Sequence, residues 1–355
     1  SGVEFGEDTM IARLAAIVLF AVAVAPAGRG GAAEEVYRDP AQPVERRVED
    51  LLGRMTLEEK VEQLTQKSAS AIEMDGDGVD AASLERLFGD RSPGVLCAHF
   101  GDDLFQSARR LAAAQQYLRE RTRLGIPALT ANEGLHGVLA QGATIYPQFL
   151  ALGCTWNPDL AREMGAQISR EASAAGLNQL LTPMIEVIRD PRWGRVEECV
   201  GESPFLVGRM CAAYTLGIQG DLRTQPLAPH KALAMLKTFA GYSTPVNGIN
   251  IANCNLGERE LRSTYFPPVE QVIRETGVLS LMPAYNEVDG IPSHANRWLL
   301  EDLLRGEMGF RGYTYSDWGG VEFNAGLHRV AADNAEAGRQ ALVAGVDLEA
   351  PSPTC

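Results

Sequence analysis

The 355-residue sequence lacks any apolar run of about 20 residues, the length a membrane-spanning helix needs. It has no Cys-x-x-Cys pair, and its cysteines at 97, 154, 199, 211, 254 and 355 find no histidine at zinc-finger spacing, so a structural metal centre has no ligand set to build on. Buried free thiols are the plainer reading, while export would permit a disulfide whose pairing the sequence does not give. No G-x-G-x-x-G opens a helical segment, which removes the main support for a dinucleotide-binding fold. Positive charge is short: 32 Lys and Arg against 46 Asp and Glu leave a net charge of -14, a field that repels phosphate backbones and anionic membranes. Nucleic acid is therefore not an expected partner, while a neutral ligand such as a sugar stays open. Internal repeats and low-complexity tracts are also missing. What is present is apolar content of 45%, enough to bury a full core in one large α/β domain or two small ones.

The N-terminus carries an export signal. Met10 and Arg13 precede the apolar run 14–25, and small residues Ala25, Pro26, Ala27, Ala32 and Ala33 follow. We read residues 1–9 as upstream sequence, 10–33 as a signal peptide and 34–355 as the domain, in a secreted or periplasmic protein.

Downstream, Thr56-Leu57-Glu58-Glu59 has the form of a capping box and predicts a helix start. Short apolar runs then alternate with longer amphipathic ones. The runs at 94–100, 128–131, 179–182, 232–239, 278–282, 312–316 and 346–348 predict buried parallel strands. Helical patterns cover 104–121, 158–175, 204–218, 258–275, 297–307 and 334–343. This order fits a doubly wound sheet or a (β/α)8 barrel. Seven strand candidates fall one short of a closed barrel. Polar residues follow strand ends at Glu133, Lys237, Asn286 and Asp317, where barrel active sites assemble.

The run Tyr313-Thr314-Tyr315-Ser316-Asp317-Trp318 delivers a carboxylate beside an indole. Glycoside cleavage needs a carboxylate under the anomeric carbon, and an aromatic face can stack on the sugar's C–H groups. On spacing alone, Asp317 could equally cap the next helix. A second cluster, Arg189 to Glu198, crowds three arginines and three acids into one loop. It suits either a surface ion-pair network or the recognition of vicinal hydroxyls by planar guanidinium groups.

Taken together, the motifs resemble glycoside hydrolase family 3 from about Val44 to the last residues. They are Val48-Glu49-Asp50-Leu51-Leu52 with Met55-Thr56-Leu57-Glu58-Glu59-Lys60, Asn132-Glu133-Gly134-Leu135-His136-Gly137, and Tyr146-Pro147-Gln148 leading to Thr155-Trp156-Asn157-Pro158. The Arg189–Glu198 loop with Gly201-Glu202-Ser203-Pro204, then Ala284-Tyr285-Asn286-Glu287-Val288-Asp289-Gly290 and Ser316-Asp317-Trp318, complete the set. The resemblance implies a TIM-like (β/α)8 barrel and a retaining exo-acting β-glycosidase that removes terminal xylose or glucose from oligosaccharides without metal or cofactor. It implies Asp317 as nucleophile and Glu133, Arg195, Lys237, Met282, Tyr285 and Trp318 around the sugar.

Two departures qualify the match. Family members usually read Lys-His-Phe where this sequence has Lys237-Thr238-Phe239, so Thr238 replaces a sugar-binding histidine. No residue resembles a general acid/base, which two-domain members take from a sandwich domain after the barrel; we expect that domain, and the eighth strand, to lie beyond Cys355, leaving this barrel truncated with exposed strand edges. N-acetylhexosaminidases, which use a loop histidine after Lys-His-Phe-Pro-Gly-His, fit poorly against Phe239-Ala240-Gly241-Tyr242-Ser243, and α-arabinofuranosidases rank between. The contrasting class is a non-catalytic sugar-binding barrel, motivated by Thr238 and the lacking acid.

Overall fold

The computed structural model describes residues 35–98 and 100–351, so the expected signal segment and Cys355 lie outside the described residues. Eight parallel segments form a closed ring. In chain order they are Gln66–Ser68, Val95–Cys97, Leu129–Asn132, Gln179–Leu180, an interrupted fifth strand made of Leu233–Ala234 and Leu236–Phe239, Ser280–Pro283, Tyr313–Thr314 and an extended segment at 347–349. Each of the first seven pairs in parallel with its neighbour in sequence. The eighth segment joins both ends, bridging Tyr315 to Leu348 and Thr65 to Glu349. At the seam the Gln66 N–H donates to the Glu349 carbonyl at 3.2 Å, and the Glu349 N–H donates to the Leu64 carbonyl at 2.9 Å.

This corrects two expectations. The unidentified strand precedes the seven recognised ones, at Gln66-Lys67-Ser68, and the ring therefore has no open edge at residue 348. Its polar composition hid it. Gln66 is buried and accepts a hydrogen bond from the Tyr315 hydroxyl across the barrel, so a polar side chain fills an interior position usually held by an apolar one.

Two apolar layers hold the architecture. Inside the ring, Val95, Leu129, Ala131, Leu181, Met235, Met282, Tyr313, Tyr315 and Leu348 pack together. A larger layer lies between the strands and the surrounding helices and includes Leu96, Leu111, Ile168, Leu180, Val207, Leu236, Val272, Leu281 and Leu303. The helices Leu104–Arg121, Pro158–Ala174, Pro204–Gln219 and Asn334–Ala344 lie where the amphipathic patterns predict. Thr56 and Glu59 form the expected capping box, with hydrogen bonds of 2.9 and 3.3 Å, at the start of Leu57–Gln63. The pattern at 258–275 instead contains wide turns at Leu261–Tyr265 before a regular helix at Phe266–Thr276. Pro267 and Pro268 supply no N–H to the preceding turn, which accounts for the irregular hydrogen bonding there.

Candidate active site

The strands deliver the candidate residues to one end of the ring. Glu133 follows the third strand, Lys237 and Thr238 lie in the fifth, Met282 lies in the sixth with Tyr285 just beyond it, and Asp317 and Trp318 follow the seventh. Arg195 comes from the long loop after the fourth strand. Lys237 Nζ lies 2.7 Å from Glu133 Oε2, joining two residues 104 positions apart. Lys237 is buried and Glu133 partly exposed, so the pair presents a carboxylate at the surface of the pocket while its cation stays below.

Arg195 resolves the crowded loop. Its Nε and Nη2 bind Glu198 Oε1 and Oε2 at 2.6 and 2.8 Å, a two-pronged pair within a single turn. Arg192 turns outward to Asp190, with Nη2 2.6 Å from Oδ2 and the arginine side chain 64% exposed. Of the three arginines, Arg195 is the one whose charge acts on Asp317. Its guanidinium also lies 5.6 Å from the Tyr242 ring centre. Trp193 anchors this loop through Nε1, which donates to Asn250 Oδ1 at 2.8 Å, and packs edge-on against Tyr242.

Asp317 is the centre of the charge distribution. Burial raises its carboxyl above the usual aspartate range, while Arg195, the nearby Tyr285 hydroxyl, Lys237 and the Trp318 N–H all oppose that rise. The Trp318 N–H donates to Asp317 Oδ1 at 2.7 Å. The Tyr285 hydroxyl donates to the Trp318 carbonyl at 2.8 Å, which ties the sixth-strand end to the seventh. Tyr242, Tyr285 and Phe323 continue the aromatic wall with centroid separations of 6.0 and 5.5 Å. Trp318 itself is half exposed, free to meet a ligand. Met282 is buried in the barrel interior beside Tyr315.

Thr238 faces elsewhere. Its hydroxyl donates to Glu186 Oε1 at 3.2 Å, and both side chains are buried. Burial pushes the Glu186 carboxyl up to about 7, against hydrogen bonds from the Tyr242 N–H, Thr238 and the Ser243 N–H and the charge of Arg195. The sequence pattern leaves Glu186 and His294 unmarked, and gives Glu198 only as one acid of the crowded loop and Tyr242 only within the 239–243 run, with no role at the site for either. An acid inside the apolar run Met184-Ile185-Glu186-Val187-Ile188 was the signal available for the first of these. His294 accepts the Asp317 N–H at 3.1 Å from 23 positions away, which no local pattern announces.

Three carboxylates, Glu133, Glu198 and Asp317, thus surround two cations, Lys237 and Arg195. Such a site favours a ligand with many hydroxyls and a centre that becomes positively charged during reaction.

Comparison with known proteins gives the family. Residues 56–355 match the Glycosyl hydrolase family 3 N terminal domain. A β-xylosidase from Formosa agariphila is 39% identical over 68% of this chain and 34% of its own length. A periplasmic β-glucosidase from Salmonella typhimurium is 33% identical over 92% of this chain and 40% of its own. The solved structure of a β-glucosidase from Erythrobacter marinus superimposes with a TM-score of 0.81 at 37% identity, covering 88% of this chain and 41% of that one. The chain therefore spans well under half the length of these relatives.

Proposed function

The chain belongs to glycosyl hydrolase family 3, and from that premise we propose that it is the barrel of an exported, retaining exo-β-glycosidase that releases terminal xylose or glucose. The observation that carries the reading is the Asp317 carboxylate at the end of the seventh strand, under the influence of Arg195 and Lys237. In the first step an Asp317 oxygen attacks the anomeric carbon as the glycosidic bond breaks, and the aglycone leaves with a proton from a general acid. Water then displaces Asp317 with net retention. Glu133 and Lys237 would hold hydroxyls far from the reacting carbon, Arg195 those nearer to it, and Tyr285, Met282 and Trp318 would shape the walls. Thr238, spent on Glu186, would contribute through that carboxyl and not by direct contact with sugar.

The acid/base glutamate is proposed to lie outside this chain. Glu133 is tied to Lys237, Glu198 to Arg195 and Glu287 to His328, and Glu186 is buried. None of the four is offered to a leaving group. Export fits the periplasmic relative, and among the described residues no helix is long and apolar enough to cross a membrane.

Labelling with 2-deoxy-2-fluoro glycosides bearing dinitrophenyl leaving groups tests the reading. Mass spectrometry should find the sugar on Asp317, and Asp317→Asn should take up none while keeping its circular dichroism. Label on Glu133 or Glu287 would reject the assignment, and no label at all would favour a non-catalytic sugar-binding barrel.

A further inference from the structure

One buried imidazole meets the backbone of the candidate nucleophile without belonging to the set around the sugar. His294 lies in the short turn Ser293–Ala295, is 2% exposed, and accepts the Asp317 N–H on Nε2 at 3.1 Å. Accepting requires a lone pair on Nε2, so the ring is neutral with its proton on Nδ1, the side that meets the Ala284 backbone. Burial, reinforced by the charge of His328, pushes this imidazole down to about 3, which keeps the accepting form at ordinary pH. His328 in turn sits 2.9 Å from Glu287, through Nδ1.

The ring is also clamped. Gly320 lies against its face so closely that a Cβ there would stand 2.3 Å from Cε1 and 2.4 Å from Nε2. Tyr285, whose hydroxyl holds the Trp318 carbonyl, lies with its ring centre 6.4 Å away. The peptide on the N-terminal side of Asp317 is therefore held by His294, the N–H of the peptide on its C-terminal side binds the Asp317 carboxylate itself, and Tyr285 holds the next peptide along through the Trp318 carbonyl.

We propose that His294 is a positioning residue that fixes the Asp317 backbone and so aims the carboxylate at the anomeric carbon. The proposal rests on the reading of Asp317 as nucleophile. A carboxylate pivoting on a loosened peptide still faces the same pocket but spends less time in line for attack, so the loss falls on the chemical step and not on sugar binding.

The test measures labelling by 2,4-dinitrophenyl 2-deoxy-2-fluoro-β-glucoside and β-xyloside as a function of reagent concentration. H294Q places an amide oxygen near the Nε2 position and is expected to keep a limiting rate within about 3-fold of the unaltered protein, whereas H294N and H294M, which offer no acceptor there, should fall by about 10-fold or more. The half-saturating concentration should change by less than about 3-fold in all three. Label on Asp317 at equal limiting rates throughout overturns the positioning role alone. So does a loss in H294Q as deep as in H294N, a comparison that holds even where H294M fails to fold. Label on a different carboxylate in the unaltered protein overturns the nucleophile reading and this one with it.

Discussion

Attack by Asp317 needs the carboxylate form, so labelling should rise with pH through a pKa lying above that of an ordinary aspartate. Burial sets that direction, and Arg195 is the largest influence opposing it. Arg195→Met removes that influence and also frees the charge of Glu198 beside the same pocket. Both changes disfavour the carboxylate. The profile of labelling rate against pH should therefore shift to higher pH, beyond any loss of affinity, and a shift to lower pH would contradict the arrangement. Glu186 titrates in a different place and bears on stability. Its folded carboxyl rises from the ordinary value of 4.5 to about 7, so the folded state binds this proton more tightly than the unfolded chain does. The contribution is fully present below pH 4.5 and is lost as pH rises through about 7; at about 1.4 kcal/mol per pH unit it amounts to about 3 kcal/mol. Glu186→Gln should flatten the dependence of urea stability between pH 5 and 8 and make the variant relatively more stable at pH 8. An unchanged slope would show that Glu186 is ionised in the folded protein at pH 5.

At the scale of elements, buried parallel strands are legible because both of their faces are apolar, and this exposes seven of the eight as runs. The first escapes since Gln66 answers Tyr315 across the barrel interior, a partnership 249 residues long in sequence. Site residues divide the same way. Asp317, Glu133 and Lys237 are marked by their position just after or within apolar runs, but three arginines and three acids in one loop permit many pairings. Only the turn at Val196–Glu198 decides that Arg195 takes Glu198 and points inward. Strand spacing carries its own requirement. Gly312 enters the seventh strand where the sixth passes so close that a Cβ would stand 2.1 Å from the Leu279 carbonyl oxygen. Gly312→Ala must push apart the two strands that carry Tyr285 and Asp317 at their far ends. The expected cost is about 1–3 kcal/mol in urea denaturation, together with slower labelling of Asp317. Wild-type stability would mean that the strands shift there at no cost.

At the scale of the whole molecule, the closed ring and the distribution of carboxylates make separate statements. Closure through Thr65 and Glu349 leaves the ring itself without an open strand edge among the described residues, so the barrel strands are paired all the way round. Catalysis is a different matter, because a proton donor must come within hydrogen-bond reach of the leaving oxygen, and the glutamates around Asp317 are engaged with Lys237, Arg195 and His328 or buried behind Thr238. A dinitrophenolate departs without a proton; a sugar alkoxide does not. The chain should therefore glycosylate Asp317 rapidly from dinitrophenyl glycosides, yet cleave disaccharides slower than a longer form with the acid in place by about 10²–10⁴-fold. The measurement is the dependence of rate on leaving-group basicity across a series of aryl β-glucosides and β-xylosides. A steep fall with rising basicity is expected for this chain. A flat dependence, with disaccharides cleaved as readily as activated substrates, would mean that one of these engaged glutamates lets go of its partner to deliver the proton.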